Sequence, residues 1–328
     1  MKIAILGAGA WGTALGIALC GRHEVRLWGR DAAHIEAMRR ERANARHLPG
    51  FALPGALGLF DRLEAALEGA ELMLAAVTTG GLRATLRRVR AAGGSAPLVW
   101  LCKGFEPGGE RLPHEVCAEE LREATPRGVL SGPSFAAEVA RGLPTALTLA
   151  SADAAFAREA AAALHAPALR VYRSEDVVGV EIAGAVKNVM AIAAGVSDGL
   201  GLGFNARAAL IARGLAEMMR LAVALGGRAE TIMGLAGAGD LILTCTGDLS
   251  RNRRVGLALA RGEPLDSALA VLGHPAEGAF SARAAARLAD RLGIEMPITR
   301  AVCRVLDDPA LARSVVQELL AREQKSEY

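Results

Sequence analysis

The opening thirty residues constrain the fold more than any other part of this chain. Lys2-Ile-Ala-Ile-Leu6 is a short apolar run suited to a strand buried on both faces, and Gly7-Ala-Gly9-Ala-Trp-Gly12 follows at once. Thr13 to Cys20 then has a helical pattern, and Glu24 to Trp28 reads as a second strand. In a chain with 38 glycines, Gly-x-Gly-x-x-Gly alone says little. Between a buried-type strand and a helix it has a mechanism: Gly7 permits a tight turn, Gly9 lets backbone approach a pyrophosphate, and Gly12 allows helix to pack closely on strand. The free N–H groups of the helix start then face the phosphates.

Further strand candidates are Leu72 to Val77, Leu98 to Cys102, Gly128 to Leu130, Ala146 to Ala150 and Leu169 to Tyr172. Helices alternate with several of them, which indicates a mostly parallel sheet covered by helices. After Ser174 nearly everything reads as helix: Val177 to Ser197, Ala206 to Leu225, Ala229 to Met233, Arg254 to Arg261, Pro264 to Leu272, Ser281 to Leu292 and Pro297 to Leu306. The expected class is α/β: a Rossmann-type dinucleotide-binding domain over residues 1–174, then an all-helical C-terminal domain over 175–328. At 328 residues and 52% hydrophobic, the chain is long enough for two cores. Arg322 to Tyr328 lacks apolar partners and is expected to fray.

Composition narrows the function. A net charge of +3 gives no general affinity for nucleic acid, and at 4% aromatic residues the chain is poor in base-stacking platforms. The arginines between Leu82 and Arg90 are interrupted by apolar residues at helical spacing and read as a solvated helix face. Five scattered cysteines without a Cys-x-x-Cys pair fit reduced thiols in a cytoplasm and give no metal signal. Ile3 to Gly21 could pass for a secretory leader, but Gly7, Gly9, Gly12 and Gly16 interrupt it and Leu19 is a poor residue before a cleavage site. A cytoplasmic protein with no integral membrane association is expected.

Several polar residues stand where packing does not ask for them. Lys187 is the lone charge in the apolar run Ile182 to Val196. Burial favours its neutral amine and so suits proton exchange at neutral pH, whereas a snorkelling stem is the bland alternative. Lys103-Gly104 follows a strand and so sits at a ligand-binding sheet edge, or is an ordinary loop lysine. Ser131-Gly-Pro-Ser134 offers hydroxyls and backbone donors to an anion, or simply turns the chain. Gly237-Ala-Gly-Asp240 precedes Thr244-Cys-Thr246, and Ser250-Arg251-Asn252 places a cap residue, a guanidinium and an amide before a helix at Val255, a good phosphate site. After the second strand, Gly29 occupies the position where an NAD site carries an acidic residue. Arg30 beside it suits a 2′-phosphate, favouring NADP(H), and Asp31 keeps NAD(H) open.

Together these motifs resemble the bacterial NAD(P)-dependent glycerol-3-phosphate dehydrogenases nearly end to end. The matching segments are Gly7 to Ala14, Cys102 to Gly104, Leu130 to Ser134, Val180 to Asn188, Ala194 to Gly201, Asp240 with Thr244 to Thr246, Ser250 to Asn252, Glu277-Gly278 and Met296 to Thr299. The resemblance implies that Lys187 is the proton acceptor for alcohol oxidation, that Lys103 touches cofactor and substrate, and that Gly132, Ser134, Asp240, Ser250, Arg251 and Asn252 bind substrate. It implies cofactor contacts at Ala10, Trp11, Arg30, His47, Ala136, Arg251 and Glu277. His274-Pro275-Ala276 departs from the family pattern, and Pro275 has no N–H with which to make the contact expected there.

The expected reaction is reduction of dihydroxyacetone phosphate to sn-glycerol 3-phosphate, with NADPH on the first domain and the substrate against the helical one. Lys187 would supply the proton, Lys103 would polarise the carbonyl, and Asp240 would orient Lys187 or a substrate hydroxyl. Supply of phospholipid backbones is a further implication of the resemblance. A β-hydroxyacid dehydrogenase and a non-catalytic NADP(H) sensor are the rivals, disfavoured respectively by the phosphate-suited Ser250 to Asn252 and by the set Lys103, Lys187 and Asp240. Alanine-rich helices could form a homodimer.

Overall fold

The computed structural model describes residues 1–272 and 277–321, so the readings of His274 to Ala276 and of Arg322 to Tyr328 lie outside the described residues. The chain divides into two compact units, Met1–Glu181 and Ile182–Tyr328.

The first unit runs β1 (Lys2–Leu6), α1 (Ala10–Leu19), β2 (Glu24–Trp28), α2 (Ala32–Glu41), β3 (Ala43–Asn44), β4 (Leu48–Ala52), β5 (Gly58–Phe60), α3 (Leu63–Leu67) and β6 (Leu72–Ala75). It continues with α4 (Thr79–Ala91), β7 (Leu98–Trp100), α5 (Pro113–Glu120), β8 (Arg127–Ser131), α6 (Ala136–Ala140), β9 (Thr145–Ala150), α7 (Ala154–Leu164) and β10 (Leu169–Ser174). Eight strands form one sheet in the order β10-β9-β8-β7-β6-β1-β2-β5. The stretch from β5 to β8 is parallel throughout, and β9 pairs antiparallel with β8, so β9 and β10 run against the rest. This is a Rossmann-type sheet: from β1 the chain moves outward to β2 and β5, then returns across to β6, leaving the topological switch point beside β1. Because the strands are parallel, the segments after β1, β2, β7 and β8 share one sheet edge, and those segments carry Gly7 to Gly12, Arg30, Lys103 and Ser131 to Ser134.

The apolar run of β1 is fully buried from Ile3 to Leu6, as a strand covered on both faces must be. Leu15 and Leu19 of α1, Ile35 and Met38 of α2, and Leu72 and Leu74 of β6 close on the same core. Each such side chain contributes about 1.5–3 kcal/mol by leaving water. The arginine-rich α4 buries Leu82, Leu86 and Val89 and exposes Arg87, Arg88 and Arg90, as its spacing implies. Two features of this unit escape the sequence reading. Strand β5 is only three residues long, and the β3–β4 hairpin carries Pro49, Gly50 and an irregular register at Ala43/Asn44.

Helix α8 (Val177–Gly199) begins in the first unit and continues into the second. By length and composition alone it could cross a membrane, yet 89% of its most apolar window is buried inside the fold, the condition of a core helix. Near its start, Glu181 is buried and accepts from Trp100 Nε1 at 2.9 Å, the His114 backbone N–H at 2.8 Å and His114 Nδ1 at 2.5 Å. The second unit is helical throughout its described residues: α9 (Gly203–Ala224), α10 (Ala229–Met233), a π-helical turn at Leu235–Gly239, α11 (Asp240–Thr246), α12 (Arg251–Ala260), α13 (Leu265–Leu272), α14 (Glu277–Leu292), α15 (Pro297–Asp307), a 3₁₀ turn at Pro309–Leu311 and α16 (Ala312–Leu320).

Helices α8 and α12 touch backbone to backbone. A Cβ on Gly195 would stand 2.0 Å from the Arg253 carbonyl oxygen, and one on Gly256 would stand 2.1 Å from that of Ile192. Four helices begin earlier than their patterns suggest: α1 at Ala10, α12 at Arg251, α9 at Gly203 and α14 at Glu277. In the first two, the residue that looked like a preceding turn is already helical because Gly9 and Ser250 are the N-caps.

Candidate active site

The glycine turn is closed by contacts that tolerate no side chain. Gly7 has φ +126°, its N–H donates to the Trp28 carbonyl at 2.8 Å, and a Cβ there would meet Ala76 O at 2.4 Å. A Cβ on Gly12 would meet Gly7 O at 2.0 Å. Gly9 behaves oppositely: no heavy atom lies within 4 Å of where its Cβ would stand, apart from its chain neighbours and the adjoining helix backbone. As N-cap of α1 it supplies no side-chain acceptor, so the first helical N–H groups are left to a ligand. A dinucleotide pyrophosphate fits this cradle. Ala10, Trp11 and Ala136 pack around one small cluster with Ala14, Leu48 and Val139, so the structure brings three expected cofactor positions together.

At the end of β2, Arg30 is exposed and makes no hydrogen bond or ion pair among the described residues. Asp31 is engaged locally: it caps α2 by accepting from the His34 N–H at 3.1 Å, and it pairs with Arg46 at 3.3 Å. Those contacts, the His34 amide foremost, hold its carboxyl below the usual carboxylate range. His47 is half-buried, with its ring edge-on to His34 at 5.1 Å. On the same sheet edge, the half-buried Lys103 donates from Nζ to the Gly132 carbonyl at 3.1 Å, and Ser134 Oγ donates to that oxygen at 3.0 Å. Gly132, at φ +140°, takes a conformation that favours glycine. Lys103, Gly132 and Ser134 thus converge on one point.

In the second unit, Lys187 is buried in α8 and its ammonium is held by side chains of α11. Nζ donates to Asp240 Oδ1 at 2.6 Å and to Thr244 Oγ1 at 2.9 Å, while the threonine hydroxyl donates to the Asp240 carbonyl at 2.6 Å. Asp240 and Thr244 meet the lysine together because they lie four apart on α11. The π-helical turn before Asp240 is possible because Gly237 carries no Cβ, which would stand 1.9 Å from Ile232 O.

Ser250 caps α12 by accepting from the Arg253 N–H at 3.2 Å, which places Arg251 and Asn252 inside the first helical turn. Arg251 is exposed and unpaired among the described residues; Arg253 is turned away and locked to Asp198 at 2.8 Å. Asn252 donates to Asn188 Oδ1 at 2.9 Å and accepts from the Gly278 N–H at 3.2 Å, tying α12 to α8 and to the start of α14 beside Glu277. Thr244 and Asn188 were not among the expected site residues, although the spacing of Thr244 from Asp240 and the adjacency of Asn188 to Lys187 are visible in the sequence. Cys245, beside Thr244, is no nucleophile: burial pushes its thiol up to about 12.

Two sequence profiles of one family cover the chain: NAD-dependent glycerol-3-phosphate dehydrogenase N-terminus over residues 2–157 and C-terminus over residues 176–317. The chain belongs to the NAD-dependent glycerol-3-phosphate dehydrogenase family. A relative from Nitrosospira multiformis named glycerol-3-phosphate dehydrogenase (NAD(P)+) is 59% identical over 331 residues, covering 100% of this chain and 99% of that protein. One of the same name from Aromatoleum aromaticum is 58% identical over 100% of both. The crystal structure of glycerol-3-phosphate dehydrogenase from Coxiella burnetii superposes with a TM-score of 0.92 at 46% identity, over 98% of each chain. A D-mandelate dehydrogenase solved with NADH shares the fold alone, at 15% identity and a TM-score of 0.63.

Proposed function

We propose that the chain reduces dihydroxyacetone phosphate to sn-glycerol 3-phosphate with NADPH, reversibly, and accepts NADH less well. The observation that carries this reading is the buried Lys187 ammonium held by Asp240 at 2.6 Å and Thr244 at 2.9 Å. A ketone gains a hydride at carbon and a proton at oxygen, and the cofactor, when bound, supplies the hydride. The Gly7 to Gly12 turn, with Ala10, Trp11, Arg30, His47, Ala136 and Glu277, would hold that cofactor.

Lys187 gives its proton to the oxygen that becomes the C2 hydroxyl and takes it back in the reverse direction. Asp240 and Thr244 fix the ammonium so that one N–H is aimed at that oxygen. Lys103 stabilises charge developing on it, while Gly132 and Ser134 hold the sugar end of the substrate. Ser250, Arg251 and Asn252 bind the substrate phosphate at the N-terminus of α12, where helix dipole and guanidinium both favour an anion. Contacts made far from C2 thereby position C2. A carboxylate substrate, as in β-hydroxyacid dehydrogenases, would leave this phosphate site unused, and a non-catalytic sensor would have no use for Lys187.

NADPH is favoured because Arg30 is exposed and unpaired among the described residues, while the adjacent carboxylate, Asp31, caps a helix and pairs with Arg46. The decisive assay follows loss of NADPH absorbance on addition of dihydroxyacetone phosphate. Lys187→Met should lower kcat by roughly 10²–10⁴-fold while NADPH still binds. Near-normal turnover by that variant would remove Lys187 as the acid.

A further inference from the structure

Asn44 is buried without solvent contact, on a hairpin outside the main sheet, and all its polar atoms are spent on the glycine turn and its surroundings. Its Nδ2 donates to the Ala8 carbonyl at 3.0 Å and to Thr13 Oγ1 at 2.7 Å, and its Oδ1 accepts from the His47 N–H at 3.1 Å. The amide orientation is unambiguous, because a carbonyl can only accept and a backbone N–H can only donate. The hairpin is itself fastened to α1: Leu48 and Phe51 pack on the cluster that contains Ala14, Trp11 and Ile17.

A trans peptide points its C=O and N–H in opposite directions. The carbonyl of Ala8 is drawn toward the buried Asn44 amide, so the N–H of the same peptide, which belongs to Gly9, is directed the other way. That is the residue beside which a Cβ would meet no nearby atom, and whose backbone the pyrophosphate approaches. We infer that Asn44 is a positioning residue for the dinucleotide, fixing the Ala8–Gly9 peptide so that its N–H faces the pyrophosphate. The inference rests on the cofactor reading of the turn. Without this anchor the peptide between two small residues is free to rotate, and a donor that must be ordered on binding lowers affinity.

Asn44→Asp keeps the shape but cannot donate to Ala8 O, and Asn44→Ser is too short to reach it. Dissociation constants by intrinsic fluorescence should rise at least tenfold for both NADPH and NADH in Asn44→Asp, and at least threefold in Asn44→Ser. Adenosine 2′-monophosphate, which carries the adenosine 2′-phosphate but no pyrophosphate, should bind both variants within twofold of the parent. Unchanged NADPH affinity in either folded variant overturns the proposal, as does a parallel loss for the pyrophosphate-free fragment, which would mean general loosening. Failure of the parent to bind NADPH would instead overturn the cofactor reading itself.

Discussion

Replacing Gly256 with alanine tests whether the α8–α12 contact sets the geometry of the reaction. The added Cβ would stand 2.1 Å from Ile192 O and 2.8 Å from the Gly195 Cα, where ordinary contact begins near 3.4 Å. Neither obstacle is a flexible side-chain end, so relief requires the helices to separate by about 1.3 Å. The start of α12 is tied to α8 by the 2.9 Å bond from Asn252 to Asn188, and Lys187 is the residue next to Asn188. Separation therefore moves the proposed phosphate site relative to the proposed proton donor. Overpacking of this kind costs about 1–3 kcal/mol of stability, and a misplacement near 1 Å costs on the order of 10²-fold in rate. The assay pairs thermal denaturation with steady-state kinetics on dihydroxyacetone phosphate, and kcat/KM should fall far more than the fraction folded. A folded variant with kcat/KM within twofold of the parent would refute the reasoning.

Three further outcomes are expected. Arg251→Ala should raise KM for dihydroxyacetone phosphate by roughly ten- to a hundredfold, the worth of a charge-assisted contact, with a smaller change in kcat; steady-state kinetics decides it. Arg30→Ala should weaken NADPH binding about tenfold or more and leave NADH nearly unchanged, read by titration of each cofactor. Stability should fall with rising pH through the His114–Glu181 pair. Burial presses the imidazole toward neutrality, but the Glu181 carboxylate outweighs it and leaves His114 above its ordinary 6.5; burial also pushes the Glu181 carboxyl up. Both groups hold protons more tightly folded than unfolded, so the histidine contribution is fully present below about 6.5 and is lost as pH rises through its folded value. Urea midpoints should decline across that window in the parent and stay flatter in His114→Gln.

The first unit was largely readable because its signals are local. A buried strand, three glycines and a helix start occupy adjacent positions, and Arg30 and Lys103 follow strands that the apolar runs define. The same locality explains what was missed. Asn44 acts through partners at Ala8, Thr13 and His47, and nothing in its neighbours tells of the first two. Ser250 to Asn252 have the residue types that suit an anion, but their sequence pattern sets them before the helix, because polar residues carry no apolar periodicity even where Ser250 caps it and Arg251 and Asn252 open its first turn. Lys187 was conspicuous as a charge in an apolar run, whereas its partnership with Thr244 follows only once Asp240 is known to open a helix.

The thiols offer a way to watch this molecule open. Cys20, Cys102, Cys117 and Cys245 are buried, and burial pushes even the partly accessible Cys303 up to about 11. An alkylating reagent therefore reaches the buried thiols only when a segment comes apart. Cys102 adjoins Lys103 in the first unit and Cys245 adjoins Thr244 in the second. Mass spectrometry of the modified peptides would clock fluctuations at each of these two segments separately, using labels the chain already carries.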